Sequence, residues 1–473
     1  MRAITLEGRE IDLTLEMLNG LKAQLQGLLL TPDDPDYDAA RQLWNATIDR
    51  RPALVVRCLG TADVLACVRF AREHDLLLCI KGGGHNIAGL AVADGALMLD
   101  LSLMRGVWVD RERRVAHAQA GCVLGDVDRE TQVHGLATVL GFISTTGIAG
   151  LTLGGGFGYL TRRWGYTTDN VLGMDVVTAE GQLVHASADE NPDLFWGLRG
   201  GGGNFGVVTG FDYRLYPVGP EILGGVVAWP ASEAPAVLEH YRRLAEQAPP
   251  ELTLVALMRP APPAPWLPKE WHGESIVALL ACYSGDPEEG EAQVAPIKTF
   301  GEPIGDVLVR RPYAQMQKLL DATQPKGRRY YWKSEYLPSI EPELCEKAIE
   351  HAGRIRSPHS AVILFQLGGA LNQLDTDHSP VGNRDARYVF NVGGAWEQAE
   401  DDEANIAWAR DAWHDLKVHS TGGAYINFQT EDEGPERMEA ALGPALQRLA
   451  EIKRRWDPDN RFRVNRNILP HPD

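Results

Sequence analysis

The stretch Lys81-Gly82-Gly83-Gly84-His85-Asn86 decides how this chain is read. It follows the apolar run Leu76-Leu77-Leu78-Cys79-Ile80, which has the composition of a short buried strand. Three consecutive glycines let backbone approach a ligand closely, and their amides can form an anion-binding nest. An imidazole beside such a nest points to a phosphate-bearing cofactor that the protein can hold covalently.

Two further glycine-rich stretches lie downstream. Residues 135–160 contain Gly147, Gly150, Gly154, Gly155, Gly156 and Gly158, and the second stretch is Gly200-Gly201-Gly202-Gly203-Asn204-Phe205-Gly206. Gly201, Gly203 and Gly206 satisfy G-x-G-x-x-G, but a helix pattern (Pro192 to Leu198) precedes them and a strand pattern (Val207 to Tyr216) follows. A dinucleotide-binding βαβ turn needs the opposite order. The chain has no Gly-Lys-Ser/Thr loop, no Gly-x-Ser-x-Gly elbow and no His-Glu-x-x-His, so nucleotide hydrolysis, acyl transfer and zinc hydrolysis lose support, and no metal is expected. The glycine loops could serve as tight turns alone. Their admixture of Asn86, Thr145, Thr146, Thr152 and Asn204 favours a different reading. These groups suit a long, extended ligand with a pyrophosphate and a polar ring edge.

At 473 residues, two or three domains are expected. The formal net charge of −18 opposes a nucleic-acid partner, which would require basic surface. No apolar run reaches the ~20 residues of a membrane helix, and the first ten residues lack the basic-then-apolar order of a secretory signal. A cytoplasmic protein without a membrane partner is the expectation. The six cysteines show no metal-like spacing and read as reduced core thiols. The texture breaks near Pro217-Val218-Gly219-Pro220. Beyond it, strands such as Leu252 to Met258, Val362 to Leu367 and Tyr388 to Trp396 alternate with helices at 232–247, 286–299 and 401–417, which predicts a sheet covered on one face by helices. A last segment from Tyr425 contains a helix over 435–455.

With these pieces in order, the chain resembles the FAD-linked oxidases of the vanillyl-alcohol oxidase / p-cresol methylhydroxylase superfamily, in its berberine bridge enzyme-like branch. The resemblance rests on Arg51 to Cys58, Lys81 to Asn86, Thr145 to Gly158, Phe195 to Thr209, Tyr425-Ile426-Asn427 and Trp456 to Phe462. It implies an α+β fold: a two-part FAD-binding domain of the PCMH type with an inserted substrate domain, an antiparallel sheet covered by helices. The expected division is 1–218 (core from about 50) for the first part of the FAD domain, 219–424 for the substrate domain and 425–473 for the returning segment. It further implies FAD held through His85 at the flavin 8α-methyl. Lys81, Gly82, Gly83, Gly84, Asn86, Thr145, Thr146, Gly147, Gly150, Gly154, Gly155, Gly156, Gly158, Asn204, Gly206, Val208, Asn427 and Asn465 complete the implied cofactor site. Many branch members carry a second link from a cysteine four residues before the glycine matching Gly147. Here that position is Ile143, so one link is expected.

Hydride removal from a C–H requires the neighbouring O–H or N–H to lose its proton, so a base must lie within hydrogen-bond reach. The resemblance makes Tyr425 that candidate. A free phenol titrates near 10, so its pKa would have to be depressed; packing at a domain seam is the other reading. Gln366, the polar member of an otherwise apolar strand, and Tyr388 complete the expected catalytic set, and the cluster Tyr330-Tyr331-Trp332-Lys333 offers aromatic walls. The resemblance implies that this strand, Val362 to Leu367, lines the pocket and that related amine oxidases carry charged side chains on it, so its apolar character here favours an alcohol (sugar, polyketide or aromatic) over an amine, with O2 reduced to H2O2. Thr146 stands where the branch gates oxygen, and its valine-like shape favours an oxidase, although a plain ring contact would look the same. C–N oxidation or oxidative cyclisation is the alternative, and a flavin-binding protein without turnover is the non-enzymatic one. Oligomeric state is open.

Overall fold

Leu54–Arg57 and Leu97–Asp100 are short apolar runs, the composition of strands covered on both faces, and they pair in parallel. The computed structural model, which describes residues 1–471, sets them in a four-stranded sheet ordered Leu28–Leu30, Leu54–Arg57, Leu97–Asp100, Leu78–Lys81. Parallel neighbours need a crossover, and the helix Thr61–Glu73 supplies one, burying Val64, Cys67, Val68 and Ala71. Asp63, in the first turn of this helix, does not cap it. Its carboxylate accepts the backbone N–H groups of Gln26, Gly27 and Leu59 at 2.8–3.0 Å, pinning the incoming chain instead.

A second, antiparallel sheet runs Leu183–Ser187, Val171–Val177, Val207–Arg214, Val115–Gln119, Val107–Asp110. The first glycine stretch leaves the strand Leu78–Lys81 and the third enters Val207–Arg214, while the second surrounds the short helix Ile148–Leu153. Gly83 and Gly147 touch backbone to backbone, and a Cβ at either would overlap the other's main chain. Gly84 has φ +70°, a left-handed conformation that a side chain disfavours. Glycine therefore serves close approach here as well as turning.

The third sheet is antiparallel, in the order Gly305–Asp306, Glu221–Pro230, Ser275–Tyr283, Leu252–Pro260, Ala361–Gln366, Tyr388–Trp396, Arg329–Leu337, with Val309–Pro312 also on Glu221–Pro230. Helices Ala234–Gln247, Pro342–Ala352 and Asp402–Leu416 bury Val237, Leu344 and Trp408 in one cluster with Val362, Leu364 and Phe390 of the sheet. The opposite face, bearing Val255, Leu257 and Phe365, packs on Phe157, Tyr159 and Tyr425. The expected two-part cofactor domain with an inserted antiparallel sheet is the architecture seen. Arg329–Leu337, read from sequence as an aromatic cluster, is one of its strands.

The chain then returns. The single helix expected over 435–455 is two, Pro435–Leu442 and Ala445–Trp456. Gly443 at φ +48° and Pro444, which has no N–H to donate, break it. Lys453 is fully buried and donates to Asp457 (2.6 Å), the Asn204 carbonyl (2.8 Å) and the Phe462 carbonyl (3.0 Å). Every proton of this buried cation has an acceptor, as desolvation demands. The clasp ties the tail to the third glycine loop. Among the described residues no helix is long and apolar enough to cross a membrane.

Candidate active site

The glycine loops and the bare face of the large sheet enclose a cavity of about 340 Å³. Its floor is backbone. Gly82, Gly83 and Gly84 line it from the first turn, Gly147, Gly150 and Gly154 from the second, and Gly206 with Val208 from the third. Asn86, Thr146, Tyr425, Asn427 and Asn465 also reach it. His85 projects from the first turn. Its Nε2 is 3.3 Å from Thr145 Oγ1 and its Nδ1 3.5 Å from Thr146 Oγ1. The ring stacks on Trp44 (centroids 5.0 Å, 18°), which stacks on Tyr330 (3.7 Å, 10°). Burial pushes the His85 imidazole down to about 4, with Lys326 adding to the effect, so at neutral pH it is uncharged and keeps a lone pair.

Residues 52–187 match the family described as FAD binding domain, and residues 424–469 the one described as berberine and berberine like. Over 462 residues the chain is 31% identical to (R)-6-hydroxynicotine oxidase of Paenarthrobacter nicotinovorans, covering 94% of this chain and 97% of that protein. The chain belongs to the berberine bridge enzyme-like FAD-linked oxidoreductases. An FAD-linked oxidoreductase of Dictyostelium discoideum is 28% identical over 459 residues, 96% of this chain and 97% of that one. The crystal structure of 6-hydroxy-D-nicotine oxidase from Arthrobacter nicotinovorans superposes with a TM-score of 0.84 at 28% identity, covering 97% of this chain and all (100%) of that one.

FAD, the cofactor of this family, fits the residues present. The floor is stripped of side chains where a flat or extended group must lie close. Asn465 holds its place by donating Nδ2–H to the Gly203 and Phe462 carbonyls, while its buried Oδ1 has no partner among the described residues. A buried acceptor left over at a cavity wall is a place for a ligand donor.

Six expected cofactor residues stand behind that surface instead of on it. Lys81 turns away from the glycine turn, donating to the Ala40 carbonyl at 2.6 Å and lying 3.6 Å from Asp100. It anchors the end of its strand. Asn204 bonds the Gly201 and Arg466 carbonyls and accepts from Ile468 N–H, so it stitches the tail. Thr145 touches His85 from outside the cavity. Gly155, Gly156 and Gly158 shape the turn beneath Tyr425: the Gly156 N–H donates to the Tyr425 hydroxyl oxygen at 3.1 Å, and Asn427 Nδ2 donates to the same oxygen at 3.0 Å.

Those two donors favour a phenolate, yet burial outweighs them and pushes Tyr425 up to about 12. The shift is opposite to the one expected of a standing base. In this environment Tyr425 is a neutral phenol at pH 7, with its oxygen held from two sides.

Gln366 and Tyr388 are not in the cavity, which corrects their expected catalytic roles. Side chains alternate along a strand. On Ala361–Gln366 the members that reach the cavity are Ala361, Ile363 and Phe365, while Gln366 accepts the Leu254 N–H (3.0 Å) and donates to the Ala245 carbonyl (2.7 Å) under the helix layer. Tyr388 pairs with Gln366 in register and packs near Tyr241. A Gln366→Leu variant is therefore expected to lower stability by about 1–3 kcal/mol, by stranding a buried donor and acceptor, with kcat unchanged. Denaturant midpoints and turnover measured side by side check this, and a selective loss of kcat would restore the catalytic reading.

The sheet brings other residues in. Arg329–Leu337 sends Trp332 into the cavity, and its neighbours Tyr331 and Lys333 go the other way, to Asp432. Asn391 is buried at the cavity wall, and its Oδ1 has no partner among the described residues. Phe157 and Phe428 meet Tyr425 edge-on, and Phe142 and Phe365 pack in turn against Phe157. Among the described residues lining the cavity there is no Asp or Glu. Trp44, Asn391, Phe142 and Phe428 escaped the sequence reading. Only the alternation within Tyr330-Tyr331-Trp332-Lys333 signalled which of that group face inward.

Proposed function

We propose that the protein is an FAD-dependent oxidase that removes a hydride from the hydroxyl-bearing carbon of an aromatic or polyketide-like alcohol. When bound, FAD supplies the hydride acceptor and passes the electrons to O2, giving H2O2. The carrying observation is the substrate side of the cavity, which is mainly aromatic and aliphatic, has few polar side chains (among them Asn391, Arg259 and His359) and contains no carboxylate among the described residues. A cationic amine entering it would be desolvated without a counter-charge, at a cost of several kcal/mol. A sugar would find few of the hydrogen-bonding partners its hydroxyls need. Asn391 Oδ1, without a partner among the described residues, can accept from one O–H, and the Tyr425 hydroxyl can exchange a proton with another.

We infer a single covalent tether through His85, whose uncharged imidazole at the cavity wall has the lone pair a nucleophile requires. Ile143 lines the cavity at the position of the second-link cysteine and cannot substitute for it. Cys122 is buried and bonded to the Gly106 carbonyl, and burial pushes its thiol up to about 12, so it is not a thiolate.

The second reading, C–N oxidation, is favoured by the 31% identity to a relative named for 6-hydroxynicotine. Peroxide release from the holoenzyme with benzylic alcohols, sugars and benzylic amines tests both. Turnover of benzylic alcohols with amines inert is the expected result. Amine turnover alone transfers the protein to the second reading, and no turnover at all supports a flavin-binding role.

A further inference from the structure

We propose that Arg259 is a specificity-determining residue that receives a carboxylate carried by the aromatic substrate, at the end of the cavity away from Tyr425. This rests on the reading of the cavity as a substrate pocket and deepens it by naming a second functional group of the substrate.

The sheet register sets the spacing. Val255 pairs with Phe365 and Leu257 with Ile363, and Arg259 lies one residue beyond the Met258–Val362 pair. Val255, Leu257 and Arg259 reach the cavity from one strand, as Phe365, Ile363 and Ala361 do from the next. Phe365 contacts Phe157, which contacts Tyr425 (centroids 5.5 and 4.8 Å), so Tyr425 belongs to the Val255 end. Arg259 lies four residues further along, about 13 Å at ~3.3 Å per residue. Asn391, in register with Ile363, falls between them. A planar acid of one or two rings spans such a length.

The guanidinium is held but not neutralised. Its Nε donates to the Pro260 carbonyl at 3.1 Å and one Nη to the Pro358 carbonyl at 3.2 Å, which fixes its plane. It has no carboxylate partner among the described residues. The nearby acid, Glu397, lies 3.2 Å from His359 and 3.9 Å from Arg328. Burial lowers the pKa of Arg259 to about 10, and Arg328 pushes in the same direction. His359, which also lines the cavity, is kept towards its neutral form by burial and by these arginines. In a chain with a formal net charge of −18, a partly desolvated cation on an apolar wall without a counter-ion is costly. An incoming carboxylate offsets that cost through a charge-assisted, two-point contact.

The test uses the FAD-loaded protein and three small probes, benzoate, benzamide and benzylammonium, read by perturbation of the bound cofactor's visible spectrum and by calorimetry. Benzoate is expected to bind about 10- to 100-fold more tightly than isosteric benzamide, with benzylammonium weakest. Arg259→Gln is expected to bring the benzoate-to-benzamide ratio near one, and Arg259→Lys to keep part of it. A merely structural arginine would change the melting temperature and leave the ratio alone. Equal affinities in the unmodified protein, absent benzoate binding, or a ratio unchanged in Arg259→Gln overturn the proposal. Binding is read without turnover. Peroxide from alcohols with no benzoate preference sinks the Arg259 assignment only, and a benzoate preference with no alcohol oxidation sinks the reaction only.

Discussion

His85→Ala is expected to give a protein whose acid precipitate is colourless, where the unmodified protein gives a yellow one. The proposed tether runs through a single histidine, so its loss would leave FAD held only by backbone contacts and the Asn465 region, and acid would release it. Trypsin cleaving after Lys81 and Arg105 yields a peptide whose only histidine is His85. In the unmodified protein that peptide is expected to carry the mass of FAD. Turnover of the reconstituted variant is expected to fall about 100-fold, the size of effect that follows when a reacting ring is misplaced by an ångström or so. Removal of the imidazole also takes a ring off the His85–Trp44–Tyr330 stack, so the first turn loses its support against the substrate domain. A yellow acid precipitate from His85→Ala, or an unmodified peptide in the parent protein, would sink the tether.

The glycine loops that line the cavity were legible because their physics is local. A run of glycines marks a close backbone approach within a few residues, as at Gly83 against Gly147, and the inverted helix–strand order around Gly201–Gly206 was enough to reject a dinucleotide turn. Even there, sequence could not say which way a neighbour points. Lys81 is adjacent to the turn, but as the last residue of its strand it directs its ammonium to Ala40 and Asp100. The substrate half was much less legible, because facing is set by packing between distant segments. Gln366 drew notice as the one polar residue in an apolar strand. The face it occupies is decided by helix Ala234–Gln247 on one side and the glycine loops on the other, and a shift of one residue in facing exchanges Gln366 for Phe365. Trp44 was invisible for the same reason: it sits in a segment of no clear pattern, and its ring partners are 41 and 286 residues away along the chain (85 − 44 and 330 − 44).

Tyr425→Phe is expected to lower kcat/KM by about 10²- to 10⁴-fold, the range for loss of a positioned proton-transfer group. The variant keeps the ring, and with it the edge contacts to Phe157 (4.8 Å) and Phe428 (4.9 Å), so the cavity keeps its shape. It strands the Gly156 N–H and Asn427 Nδ2–H that pointed at the lost oxygen, a cost of about 1–3 kcal/mol in stability, too little to unfold a protein of this size. The pH profile separates proton transfer from packing. Burial raises the Tyr425 phenol to about 12, so the phenolate fraction grows about tenfold per pH unit through the neutral and mildly alkaline range. If Tyr425 takes the substrate's proton, kcat/KM of the parent climbs steadily to pH 10 without levelling, while Tyr425→Phe is flat. The folded phenol also keeps its proton longer than the unfolded one, so stability is intact below about pH 10 and declines above it, which sets the upper limit of the titration. A variant within twofold of the parent, or two profiles of the same shape, would return Tyr425 to the role of a packed tyrosine at the seam between the domains and move the search for the base to the cofactor itself.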